Sequence, residues 1–284
     1  MLRALSVIAA ILILGGVNAQ TPLFKVELSE KTMEELVERN SRIIISAANG
    51  KTMVDAYEYA DCKSLKEVVV EEGIETIGEY AFLGCENLQK IILPSTLKNI
   101  GEGAFRECES LESLEVPSGV KKIPAFMCEW DSNLKEVKLP SSVDDISRGA
   151  FQYCKQLARI DLPPHLKHIG ANAFGDCVAL KEVDVPDTME ELESYAFAGC
   201  EGLKRAKLPS NSRMLGELIF TGCENLEVIE CGSIVPPTFD CDSPLVDPLE
   251  SKILSRVRLV VPEKSESLYR KAPGWTIFFP TPLE

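Results

Sequence analysis

Six times in this chain a phenylalanine stands three residues ahead of a cysteine: Phe82–Cys85, Phe105–Cys108, Phe151–Cys154, Phe174–Cys177, Phe197–Cys200 and Phe220–Cys223. Thiols on so regular a step could be metal ligands, redox centres, disulfide halves or packing elements. Zinc requires several ligands that converge on one point, whereas a 23-residue spacing spreads them along an axis. Redox pairs need two neighbouring thiols, one exposed and acidified, and no Cys-x-x-Cys occurs. Disulfides suit an exported protein, but the parallel Cβ vectors of stacked units do not reach bonding geometry easily. Cys62, Cys85, Cys108, Cys128, Cys154, Cys177, Cys200 and Cys223 are therefore expected as buried free thiols, small apolar groups filling a ladder slot. Cys231, in a core strand position, and Cys241, in a loop, stand apart. A disulfide between them is the alternative to two free thiols.

Other chemistry is sparse. The only two histidines, His165 and His168 in "PPHLKHIG", are three apart with no third ligand apparent, and they read as surface or turn residues. Among 44 Asp and Glu, some pair always falls at glycosidase separation, but no motif singles one out. No nucleophile motif, phosphate-binding loop or dinucleotide fingerprint occurs. Catalysis, cofactors and metals are not expected. A formal net charge of −14 disfavours nucleic acid and anionic membrane surfaces as partners.

The elements that position these side chains follow from the repeat. Leu65, Leu88, Leu111, Leu134, Leu157, Leu180, Leu203 and Leu226 are each 23 residues apart. Apolar residues follow mostly three and five positions later, with polar ones between, and Pro often comes next. That alternation predicts a short strand with one buried face, which Pro ends because it lacks an N–H. Ala, Phe and Cys at i, i+1 and i+4 suit a short helical turn facing inward. One such unit cannot bury its apolar stripe alone, and stacked copies can. The expected fold class is α/β: a right-handed solenoid, with one parallel sheet of about eight to ten short strands and short helical turns on the other face.

The pattern "LQKIILPSTLKNIGEGAFREC" resembles the BspA-type leucine-rich repeat. The resemblance covers residues 42–232, and "RLVVPEKSESLYRKAPGW" (258–275) is similar to the closing unit of such proteins. It implies a secreted or surface-exposed protein associated with adhesion and with binding of host or matrix proteins.

Four segments are expected. Residues 1–19 read as a cleavable signal, with Arg3, an apolar run and Val17-Asn18-Ala19. No further membrane span is expected. Residues 20–64 read as a cap with a degenerate first repeat: Thr32 and Glu35 form a capping box, "RIIISA" (42–47) is in strand register, and Tyr59 with Cys62 echoes Phe-x-x-Cys. Residues 65–232 are the repeats, and 233–284 a Pro- and Asp-rich loop with a closing unit. The third unit, "IPAFMCEWDSN" (123–133), reads as two residues short before its Phe, with Asp131 in the thiol's place and Trp130 in a bulge. Trp130 is then either a cover for a packing defect or an exposed aromatic anchor.

Positions two and four after each repeated Leu point outward on the strand. There the candidate partner-binding residues are Lys90, Ile92, Glu115, Glu136, Lys138, Arg159, Asp161, Glu182, Asp184, Arg205 and Lys207, with Trp130 as a separate candidate. From Glu136 to Arg205 the sign alternates at each rung, and the strip could equally serve as a stabilising charge ladder. The function expected is a secreted, extracellular or cell-surface (or periplasmic) binding module for a host, matrix or cell-surface protein. The alternatives are a structural component of a surface assembly and a carbohydrate-active enzyme.

Overall fold

The computed structural model describes residues 41–239, 245 and 256–279. The signal, the capping box at Thr32 and Glu35, and Cys241 lie outside the described residues. Within them the chain coils as a parallel β-solenoid, with the core running its length.

Most rungs contribute to three hydrogen-bonded ladders. The first is the sheet read from the repeated Leu. Its strands are Arg42–Ile45, Glu67–Val70, Lys90–Ile92, Ser113–Glu115, Glu136–Lys138, Glu182–Asp184, Arg205–Leu208, Val228–Cys231 and Arg258–Val260. Arg42 pairs with Glu67 in parallel register, so "RIIISA" does join the stack. The second ladder was not foreseen. It consists of two-residue strands from Met53–Val54 to Thr238–Phe239, and its inward residues Val54, Ile77, Ile100, Ile123, Ile146, Ile169, Leu192 and Leu215 are buried.

The third ladder occupies the Ala-Phe-x-x-Cys segment, where helical turns were expected. No α-helix forms there. Two positions per rung take left-handed backbone, for example Tyr80 (φ 53) with Gly84 (φ 67), Phe126 (φ 56) with Trp130 (φ 70), and Asn172 (φ 55) with Asp176 (φ 58). That alternation leaves every second N–H pointing along the solenoid axis. Phe82 N donates to Ala104 O (2.9 Å), Phe105 N to Met127 O (2.9 Å) and Phe151 N to Ala173 O (2.8 Å). The intervening N–H groups close tight turns, as Cys85 N does on Phe82 O at 3.2 Å. The helix of the described residues, Glu266–Tyr269, lies in the closing unit, where Tyr269 and Trp275 are buried.

Phe82, Phe105, Phe151, Phe174, Phe197 and Phe220 are all fully buried. They form two stacks, not one. Tyr59, Phe82 and Phe105 stack at 5.3 and 5.8 Å; Phe151 to Phe220 stack at 5.4, 5.3 and 6.0 Å. The third rung divides them, and it does so without a deletion. Cys128 N donates to Ala150 O, so Cys128 occupies the Phe slot itself, and Phe126 N donates to Arg148 O one step outward. Asp131 falls in the thiol column and is fully buried.

The thiol column is a chain of S–H donors. Cys85, Cys108, Cys154, Cys177, Cys200 and Cys223 each point Sγ at a carbonyl of the preceding rung, 3.1–3.3 Å away. Among the described residues Cys231 is a buried free thiol, and Cys62 is half-buried rather than buried as expected. Cys231 Sγ accepts from Tyr269 Oη at 3.2 Å. Burial pushes the Cys200 thiol up to about 12 and raises Cys85, Cys108, Cys128, Cys154 and Cys177 in the same direction. Thiolates being the reactive form, native protein is expected to resist thiol reagents at these positions and to expose them all in denaturant without reductant. Rapid labelling of several ladder cysteines before unfolding would refute the assignment.

Several gaps interrupt the ladders, including one in the second ladder between Glu191–Leu192 and Met214–Leu215. The sheet is unpaired between Lys90–Ile92 and Ser113–Glu115, and the second ladder is unpaired between Asn99–Ile100 and Lys122–Ile123. Part of the cause is Pro124. Its equivalents Gly78, Gly101, Ser147 and Gly170 each donate N–H to the preceding rung at 2.8–2.9 Å, and proline has none to give. The first sheet's other opening lies at Arg159–Asp161, which takes no strand conformation.

Candidate functional site

Strand alternation turns Val68, Ile91, Leu114, Val137, Ile160, Val183, Ala206 and Ile229 into the core and their neighbours outward. Lys90, Ile92, Glu115, Glu136, Lys138, Arg159, Asp161, Glu182 and Asp184 are exposed, and Arg205 and Lys207 are half-buried. The structure thus brings eleven of the twelve sequence candidates onto one face. Trp130 lies on the turn segment, outside these two columns.

The charges do not pair as the simple alternation suggested. Arg159 turns along its own segment to Asp161 at 2.8 Å, and no ion pair joins it to Glu136 or Glu182 among the described residues. Arg205 instead bridges diagonally, to Asp184 at 2.7 Å and Glu230 at 2.8 Å, and Lys138 reaches Glu115 at 3.6 Å. The Arg205 bridges hold the Glu230 carboxyl below its usual range. Exposed pairs of this sort contribute about 0–1 kcal/mol each, so most of the strip is not committed to stabilising the sheet.

Both openings of the first sheet are surface clefts. One, of about 400 Å³, lies between Lys90–Leu93 and Ser113–Glu115, with Ile92 on its wall. The other, of about 520 Å³, is lined by Glu136, Lys138, Arg159 and Asp161 among others. Both are half-open and mixed in polarity, which suits a protein side chain or loop better than a buried small molecule.

On the turn face the third rung builds a second feature that the sequence reading missed. Trp130 stacks on Tyr153 at 3.9 Å, with Lys155 5.9 Å from the indole. Phe126 lies between Arg106 and Arg148, at 6.0 and 5.0 Å. Phe126 also covers Gly149, where a Cβ would come within 2.5 Å of the ring, as Tyr80 covers Gly103. Phe126 and Tyr80 are thus occupied in sheathing bare backbone, whereas Trp130 is exposed with one face on Tyr153. The signal available in sequence was the alternation of aromatic and Gly down one column: Tyr80, Gly103, Phe126, Gly149.

A family model described as the BspA type leucine rich repeat region matches this chain in six copies, over residues 52–177 and 121–236. The chain belongs to this family. BspA-type members are generally non-enzymatic repeat proteins. No curated protein matches the chain. Among solved structures, a leucine rich cell surface protein from Faecalibacterium prausnitzii is similar in fold at 22% identity and a TM-score of 0.50, over 75% of this chain and 64% of that one. This chain therefore spans less than two thirds of that neighbour's length. A leucine-rich repeat protein from Bacteroides ovatus aligns at 23% identity and a TM-score of 0.48, covering 81% of this chain and 75% of its own. Among the described residues no helix is long and apolar enough to cross a membrane.

Proposed function

We propose that this chain is a secreted or surface-exposed binding module that engages a host, matrix or cell-surface protein through the outer face of its sheet, on a right-handed coil. The observation that carries this reading is the strip itself: an exposed, mixed-charge surface whose ion pairs are solvent-exposed and individually weak, and which opens into two clefts. The family supports it, since leucine-rich repeat proteins typically bind proteins, as does the description of the Faecalibacterium neighbour as a cell surface protein. Lys90, Ile92 and Glu115 would present one cleft to the partner; Glu136, Lys138, Arg159 and Asp161 the other; Glu182, Asp184, Arg205 and Lys207 extend the contact.

Arg159 and Lys138 are the informative pair, because their side chains are 73% and 61% exposed. Reversing both to Glu is expected to abolish capture of immobilised matrix or cell-surface proteins that the parent chain retains. The melting temperature should move by no more than about 2 °C, in keeping with surface substitutions. Capture that survives this change and also Arg205→Glu with Lys207→Glu would place the site elsewhere.

A further inference from the structure

His168 belongs to the second ladder, not to a turn as its sequence suggested, and three carboxylates surround it. Its Nδ1 faces Asp145 Oδ1 at 3.4 Å; its Nε2 lies 2.7 Å from Glu193 Oε1 and 3.9 Å from Glu191 Oε2. Asp145, His168 and Glu191 are direct register neighbours on three successive rungs. Glu193 is held from behind, its second oxygen accepting the Ala171 N–H at 2.8 Å. Asp145 is held as well, by Ser147 Oγ at 2.9 Å and Lys122 Nζ at 3.1 Å. Among the described residues no Lys or Arg lies within ion-pair distance of Glu191 or Glu193. Even with His168 protonated, Lys122 and the imidazolium together leave one of the three carboxylates uncompensated.

We propose that His168 Nε2, Glu191 and Glu193 form a binding site for a zinc-class divalent cation. The three donor atoms lie within 4.8 Å of one another. In a tetrahedral shell with ligands at about 2.0–2.1 Å, neighbouring donors sit roughly 3.3 Å apart. The observed 2.7 and 3.9 Å bracket that value, so small side-chain rotations complete the shell. Imidazole selects zinc and its neighbours over magnesium and calcium. Asp145 supplies the outer-sphere acceptor that keeps the proton on Nδ1 and leaves Nε2 free for the metal. Glu191 is exposed, and the fourth position opens to solvent, where water or a carboxylate of a bound partner can enter. The added cation would also remove the excess negative charge from the ladder.

The test is calorimetric titration of the metal-stripped full chain with zinc under reducing conditions, beside magnesium and calcium. A single equivalent of zinc is expected, with no comparable uptake of the other two, and a melting temperature that rises with zinc. Bound cobalt should lack thiolate charge-transfer absorption. His168→Gln should abolish uptake, and Asp145→Asn should weaken it about 10- to 100-fold. Glu191→Gln, at an exposed position that leaves folding untouched, should weaken it as well. Absence of uptake, a thiolate band with cobalt, equal affinity for calcium, or unchanged affinity in both His168→Gln and Glu191→Gln would each overturn the assignment.

Discussion

Phe174→Ala is expected to lower folding stability by about 3–5 kcal/mol. The ring has no exposed surface and stacks on Phe151 at 5.4 Å and on Phe197 at 5.3 Å. Deleting it removes the transfer free energy of the ring and leaves a hole that cannot collapse easily. The rungs on both sides are pinned by N–H to C=O bonds, Phe151 N to Ala173 O at 2.8 Å and Phe174 N to Ala196 O at 2.9 Å. Rung spacing is therefore fixed at about 4.8 Å by the backbone, and neighbours cannot slide in to fill the gap. Guanidinium unfolding of parent and variant, in reductant, measures the loss. A difference below about 1 kcal/mol would show that the stack is not packed as described.

Asp131→Cys is expected to stabilise the protein by about 1–3 kcal/mol at neutral pH, the usual cost of a buried group left unsatisfied. Asp131 is fully buried; one carboxyl oxygen accepts the Cys108 N–H at 2.8 Å and the other has no N–H or O–H donor, only the weak Cys128 thiol beside it. Losing that acceptor does no harm, because Cys108 N already donates to Phe105 O at 3.2 Å, as Cys85 N does to Phe82 O. The new thiol would reach the Phe105 carbonyl, continuing the column. Burial raises the Asp131 pKa well above its ordinary value. The unfolded chain ionises near pH 3.9 while the folded carboxyl keeps its proton. The unfolded state then binds fewer protons, so this group's contribution is fully present below about pH 4 and is lost as pH rises towards the folded pKa. The difference in stability between Asp131→Cys and parent should consequently grow with pH from about 4 upward. A difference flat in pH, or a destabilised variant, would contradict the account.

The legible part of this fold was whatever repeats in composition. Leu, Phe and Cys at fixed spacing announced the core, and the alternation after each Leu announced the sheet and its outward columns. What stayed hidden depends on backbone handedness. Tyr80, Phe126 and Leu218 share the left-handed conformation of Gly103, yet nothing in those side chains advertises it, so Ala-Phe-x-x-Cys read as helix. Phe126 misled for a related reason: matched by residue type it implied a gap, whereas the hydrogen bonds keep the 23-residue register and put Cys128 inside. The His168 cluster was invisible because its members are 23 and 25 residues apart in the chain, and only stacking makes them neighbours.

The interrupted ladders also bear on force. A solenoid held at one end and loaded at the other carries tension through its rungs in series, so it gives way at the junction with the fewest bonds. Among the described residues that junction lies between the rungs of Lys90–Ile100 and Ser113–Ile123, where two of three ladders are unpaired. The turn ladder persists there, through Gly103 N to Ala125 O and Phe105 N to Met127 O. Under shear the coil would open like a book along its spine, parting the strand side first while the turn side holds. The same line runs through the cleft beside Ile92, so a tethered partner seated in it would stand at the place where the protein yields.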